Sequence, residues 1–488
     1  ARRHVDWGIP LTIKTGIDLH SQHRDITGGA TGFTYVGPDG IVANADNNAG
    51  QWVAEGMSSA PQGFGFSPRQ VLSTYEIGDT YKQHPEYFQL TEAQQVALYR
   101  NQVNASREIT ETIYAPYVRF DTKLLRDRLA VATGVRFERT EDEGTGALTD
   151  PGRNYQRDTA GNILRNAAGQ ALLIAPATSL RAVELTSIRR GAVADKSYDG
   201  FFPSFNAAFN FTDKLLGRVS YARSIARPDF GNILPSLSLP DPAGTARTIT
   251  LTTPNLRPWT ANSYGVSLEY YFDEPSSGVI SARAYQRDIS DFWGVVQIPP
   301  TAELLDAYGI DPQTYTAAAG YLVSTRLNGG DARVTGLEFD YRQNLGFLNP
   351  WARGFSAFGN ITMQHLQGST IADFICYVQK TINFGFSYNR SRFTGRVAVN
   401  LRGRERLAAF LGAGAEPGSY QYKNPRDYVD VSAEYRFTQN IALFASARDL
   451  LGIYNDFERY GPSTPQHARL LLRQDIGTLV NIGLKAQF

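Results

Sequence analysis

A single cysteine, Cys376, stands among 488 residues, so no disulfide can form within the chain and nothing marks its redox compartment. No stretch approaches the roughly 20 consecutive apolar residues of a spanning helix. The first residues, ARRHVDWGIP, carry charge but no apolar run of signal-peptide length. Excess charge is missing as well: 48 Lys and Arg against 47 Asp and Glu leave a net +1, and no global field recommends nucleic acid as a partner. The six histidines are scattered. His20 and His23 lie three apart on an expected strand and point to opposite faces, so they cannot chelate one metal together. GFGFS at 63–67 has glycines but not the strand-turn-helix setting of a phosphate cradle. No metal, no cofactor and no catalytic constellation is expected.

What the chain does have is glycine, aromatics and alternation. Its 45 Gly, 26 Tyr and 27 Phe suit all-β structure better than a helical bundle. The last residues, TLVNIGLKAQF, alternate without a break: Val480, Ile482, Leu484, Ala486 and Phe488 are apolar, with polar residues or glycine between them. The same period of two recurs upstream. Phe201, Phe205, Ala207, Phe209 and Phe211 share one face, as do Tyr264, Val266, Leu268, Tyr270 and Phe272, and Val429, Val431, Ala433 and Tyr435.

About fourteen strands follow from this pattern, near 11–24, 108–121, 128–139, 199–211, 215–225, 261–272, 278–287, 321–344, 354–365, 379–389, 393–402, 427–437, 441–451 and 468–488. The last absorbs ARLLLRQDIG, because Ala468, Leu470, Leu472 and Ile476 keep the parity of Val480. Long connections, 25–107 the longest, alternate with short turns such as TDK, DEPSS and TQN. Soluble sandwiches and propellers alternate too, but their strands average about five or six residues, and no repeat period is visible here. Long strands with one apolar face, joined by alternately long and short loops, predict a transmembrane antiparallel up-and-down β-barrel.

Five stretches in order, VSYARSIARPDFGNILP, TTPNLRPWTANSYGVSLEYYF, NGGDARVTGLEFDYRQNL, SARDLLGIYNDFERYG and the Phe-terminated last strand, resemble the barrel of TonB-dependent outer-membrane receptors. The resemblance runs over essentially the whole chain. It implies a bacterial outer-membrane location with lipid around the wall, a barrel of about 22 strands with a plugged lumen, and energy from a TonB–ExbB–ExbD complex acting through the plug. It implies transport of a scarce nutrient such as a siderophore, cobalamin, saccharide or peptide, with no enzymatic chemistry. In this family the terminal aromatic strand resembles an assembly signal, which falls here on Phe488, Leu484 and Ile482. No TonB box and no plug-like segment are found in 1–488, so these residues are expected to form one partial barrel domain, with the plug and about eight strands outside it. A passive porin-type channel is the competing function, and a structural or adhesive barrel a third.

Candidate ligand contacts lie on the loops and in the lumen. ARPDF and NLRPW bracket one long loop; Arg227, Asp229, Arg257 and Trp259 there either meet a ligand at the rim or fix the loop where it leaves the wall. Arg136, Glu138 and Arg402 belong to a lumen-facing polar set with Lys14, Asp18, Glu338, Asp340, Arg396, Asp430 and Glu434, which either touches ligand or solvates the interior. YFQLTEAQQVALYRNQ, 87–102, is helix-like within the longest loop, whose length makes it a further ligand-contact candidate.

Overall fold

A computed structural model describes every residue except 7, 43–46, 60–66, 253–255, 274–276, 369–375, 411–415, 417 and 488. The alternating segments become strands because a pleated chain presents every second side chain to the same medium. Fifteen of them form one wall: β1 Arg2–Asp6, β2 Pro10–Ile26, β3 Arg107–Leu124, β4 Leu129–Thr149, β5 Ser187–Asn210, β6 Leu215–Ala226, β7 Trp259–Phe272, β8 Gly278–Ile298, β9 Leu322–Asn344, β10 Phe355–Gly368, β11 Lys380–Arg390, β12 Phe393–Arg402, β13 Arg426–Arg436, β14 Ile441–Arg448 and β15 Leu479–Ala486. Each pairs antiparallel with the next in chain order. Among the described residues no helix is long and apolar enough to cross a membrane.

The two faces of the wall differ as the alternation requires. Ile17, Leu19, Val266, Leu268, Phe384, Phe386, Ile482 and Leu484 stand exposed on one face. On the other, charges pair across the sheet: Lys14 with Asp121 at 2.9 Å and Arg218 with Glu269 at 2.8 Å on neighbouring strands, and Lys485 of β15 with Glu434 of β13 at 2.6 Å over the intervening β14. Short turns at 125–128, 211–214, 391–392 and 437–440 gather at one end, and long loops at 27–106, 150–186, 227–258 and 449–478 at the other.

Three expectations change. A strand precedes 11–24: β1 has only five residues, and its paired arginines obscure any alternation. β4, β5 and β8 run well past their expected ends, to Thr149, from Ser187 and to Ile298, so these strands stand above the membrane. The segment 468–488 is not one strand. Leu470–Gln474 pairs with Asn455–Tyr460 in a separate five-stranded sheet built from loops, and Gly477 at φ 67° turns the chain before β15 begins. Parity carried through the turn by chance. Ile482 and Leu484 sit on β15 opposite Ala445 and Leu443, while Phe488 and most of GFGFS lie outside the described residues.

The helix expected over 87–102 is α1, Glu92–Ala105; it starts late because Thr91 and Gln94 form a capping box that fixes its first turn. Its Val96 and Val103 are buried, and Tyr99 donates to the Ser187 carbonyl at 3.4 Å, so the helix packs on the upper part of β5.

Val266 and Ser267 are neighbours on opposite faces of β7, which gives a direct test of the wall. Val266→Arg should cost about 2–4 kcal/mol of folding stability in lipid vesicles and Ser267→Arg much less. Denaturant titration of both variants measures the difference, and equal losses would contradict the face assignment.

Candidate functional site

The 227–258 loop leaves β6 and returns to β7, yet it does not stay over those strands. Inside it, Ser236–Ser238 and Thr248–Thr252 form a small hairpin. One arm pairs in parallel with β4 through Leu148 and Thr149, and the other with β9 through Leu322, Val323 and Ser324. The hairpin is therefore a strap joining two wall strands that are five apart in the sheet. Leu237, Leu239, Ile249 and Leu251 pack with Leu305, Ile310, Tyr315 and Tyr321 from the 299–321 loop in a buried apolar cluster that stiffens it.

The strap's first turn crosses lumen-facing side chains. Phe230 lies under the Arg24 guanidinium at 4.8 Å, and Ile233, Leu234 and Leu256 bury Ile109 of β3. Room for this passage comes from two glycines of β4. A Cβ at Gly146 would stand 1.9 Å from the Pro235 carbonyl oxygen and one at Gly144 3.1 Å from the Pro235 ring, so no larger residue fits at the first without moving the strap.

Arg227 is the polar anchor. Its guanidinium donates to Glu138 at 2.5 Å and to Thr140 Oγ1 at 3.1 Å, and Arg136 completes an ion pair with the same carboxylate. Glu138 is only 3 % exposed, and a carboxylate that deep needs charged partners. Glu111 and Asp142 face each other across β3 and β4 and are buried beside it. Arg190 adds a second tie, pairing with Glu108 at 2.6 Å and with Asp25.

The other end of the strap is aromatic. Trp259 packs against Phe292 at 4.2 Å and Trp293 at 4.3 Å between ring centroids. A register shift in β8 around Asp291, which has φ 65°, turns these rings together. Arg257 pairs with Asp291 at 2.6 Å while staying largely exposed, and Asn328 holds its backbone through both amide groups.

Of the residues expected from the sequence, Arg136, Glu138 and Arg227 come together at the anchor, and Arg257 and Trp259 at the aromatic end. Asp229 is exposed and precedes the short turn 230–233 without a side-chain cap bond. Arg402 lies apart from both, pairing with Glu405 at 3.0 Å. Thr140, Phe292, Trp293, Gly144 and Gly146 were not expected; the doublet EGTG was the one local signal, and it reads equally as a weak strand. Lower down, residues of β1 to β9 border a cavity of about 1030 Å³ lined by Arg119, Asp121, Arg218, Glu269 and Arg283 among others. No group of three or more His, Cys, Asp or Glu able to hold a metal occurs among the described residues.

These features, an up-and-down wall, a charged lumen and a strapped mouth, define an outer-membrane receptor barrel. The family model for the TonB-dependent receptor-like β-barrel matches residues 3–450, and the chain belongs to that family, whose barrels lie in the outer membrane of Gram-negative bacteria. No curated protein sequence matches the chain. Among solved structures it is similar to the ferric-catecholate import receptor Fiu of E. coli K12, closed form, with TM-score 0.55 and 12% identity over 100% of this chain and 53% of that one. It is also similar to the copper transporter OprC, with TM-score 0.53 and 11% identity over 100% of this chain and 56% of that one. At such identities the likeness concerns the fold, and the chain spans little more than half the length of either structure.

The strap yields a prediction. Gly146→Leu should lift it from β4 at a cost of about 1–3 kcal/mol, and Arg227→Gln should loosen its first turn. Limited proteolysis of folded protein should cut within 235–250 markedly faster in both variants, whereas unchanged cutting would show that neither contact holds the strap.

Proposed function

We propose that the protein takes up a scarce nutrient across the outer membrane by energy-coupled transport, without chemical change to it. Family membership carries the class, and the strapped mouth carries the distinction from an open pore: the 227–258 loop ties β4 to β9 across lumen-facing residues. A cover tied down on both sides favours capture of a ligand at the mouth over free diffusion through it.

In this reading a plug domain occupies the charged lumen, and the TonB–ExbB–ExbD complex moves it. Arg136, Glu138 and Arg227 hold the strap. Asp229, Arg257 and Trp259 meet the ligand at the rim, the last two supplying an exposed guanidinium and an aromatic edge. Arg402 serves the far side of the mouth. Siderophores, cobalamin, saccharides and peptides all fit this frame.

The test uses cells expressing the full-length receptor, grown with each of those nutrient classes limiting in turn. Uptake of one class should saturate and should vanish without TonB or without the inner-membrane proton gradient. Uptake that stays linear in concentration and indifferent to TonB would replace this reading with the porin-type channel.

A further inference from the structure

The five-stranded sheet above β10 to β14 has no part in the anchor or the strap. Its strands are Tyr377–Val378, Glu405–Ala409, Tyr420–Lys423, Asn455–Tyr460 and Leu470–Gln474. Tyr422 and Tyr460 stack at 4.4 Å and 19°. Guanidinium groups cover this and the nearby rings: Arg469 lies 4.4 Å from Tyr460, Arg406 4.8 Å from Tyr420, and Arg459 4.2 Å from Phe410. Arg404 donates to the Tyr460 hydroxyl at 2.8 Å.

Stacking fixes a guanidinium plane and leaves N–H groups on its edge for an oxyanion, although Arg469 Nε–H already donates to the Thr464 carbonyl at 3.2 Å. The carboxylates on the sheet are already engaged: Glu405 by Arg402, Asp456 by Arg473, and Glu458 by Asn424. Among the described residues, Arg404, Arg406, Arg459 and Arg469 make no ion pair, and Nε of Arg406 and of Arg459 is buried with no acceptor. Lys423, in the same sheet, is held below its ordinary pKa range by burial and then by the Arg426 charge, which outweigh the opposing pull of Glu405.

The sheet is tied to the lumen side of the wall. Gln364 of β10 donates to the Val378 carbonyl at 2.7 Å, and Arg426 and Tyr428 of β13 donate to Asn455 at 2.8 and 2.9 Å. Those wall residues share the face opposite the lipid-facing rows, so the sheet is attached to the entrance of the lumen and not to the outer surface facing lipid.

We propose that this arginine–tyrosine sheet captures a soluble oligoanion, a ligand with repeating carboxylate or phosphate groups, at the entrance of the barrel. Several guanidinium groups stacked on the aromatic rings of one small sheet match several oxyanions on one chain, and a single small anion would leave most of them unmatched. The assignment names a ligand class for the uptake reading above and rests on it.

Fluorescein-labelled oligogalacturonate and inorganic polyphosphate, titrated by anisotropy and by competition against the full-length receptor in detergent, test the proposal and tell the carboxylate source from the phosphate source. At least one should bind, more weakly as salt rises, while neutral malto-oligosaccharides should not. Arg406→Gln with Arg459→Gln should weaken binding by about tenfold or more, Arg406→Lys with Arg459→Lys should restore part of it, and Arg181→Gln, on a distant loop, should leave it unchanged. A heat-modifiable band confirms that each variant is folded. Failure of both probes, equal binding of the neutral sugar, binding unmoved by the Gln variants, or binding only to lipopolysaccharide vesicles would each overturn the proposal. If the oligoanion binds but uptake is independent of TonB, the transport reading fails and this one stands as a binding site.

Discussion

In hydrocarbon there is no water to satisfy a backbone N–H or C=O, and the rest of this structure depends on that constraint. Fourteen antiparallel pairings, from Arg2–Asp6 to Leu479–Ala486, meet it by giving each interior strand a partner on both sides. Once the ladder is fixed, alternation does the remaining work: odd and even positions meet different solvents, and a one-residue slip would put Glu269 and Arg218 in lipid. The charged lumen therefore follows from the same register that makes the outside apolar. β1 and β15 run in the same direction, so a direct union between them would be a parallel one.

Above the membrane the constraint relaxes, and the structure spends its freedom there. Strands overshoot, β4 and β5 pair far beyond the bilayer, and loops form sheets of their own. The strap is the clearest case, because its pairings with β4 and β9 are parallel in an otherwise antiparallel sheet. Such contacts join segments distant in sequence and rely on local packing, here the Leu237 and Ile249 cluster, for their stability. Buried charge marks the places where a loop must hold its position: Glu138 under Arg227 and Arg136, and Arg190 between Asp25 and Glu108.

Much of the wall was legible in the sequence because period-two alternation is a local property, carried by runs such as Tyr264, Val266, Leu268 and Tyr270. Failures came where local pattern and tertiary pairing diverge. Leu470, Leu472 and Ile476 kept the parity of the last strand, but Gly477 turns the chain and sends 470–474 to another sheet. β8 extends further than expected because Asp288 interrupts its apolar row, though Asp288 pairs with Arg333 at the strand's upper end. Arg227 and Glu138 were singled out separately; 89 residues of separation hid their union. The arginine–tyrosine sheet was invisible for a stronger reason, since its members come from three different loops and acquire meaning only when those loops meet.

The central claim, that one face of every wall strand meets lipid and the other an aqueous lumen, is most directly measured by spin labels placed one at a time at 263–270 of β7 in the full-length receptor, with Cys376 replaced and the protein in bilayers. Labels at Tyr264, Val266, Leu268 and Tyr270 should relax fast with oxygen and slowly with a water-soluble nickel chelate, and those at Ser263, Gly265, Ser267 and Glu269 the reverse. Equal access of the nickel chelate to both sets would mean that no lipid covers the apolar rows, and the barrel account would fail.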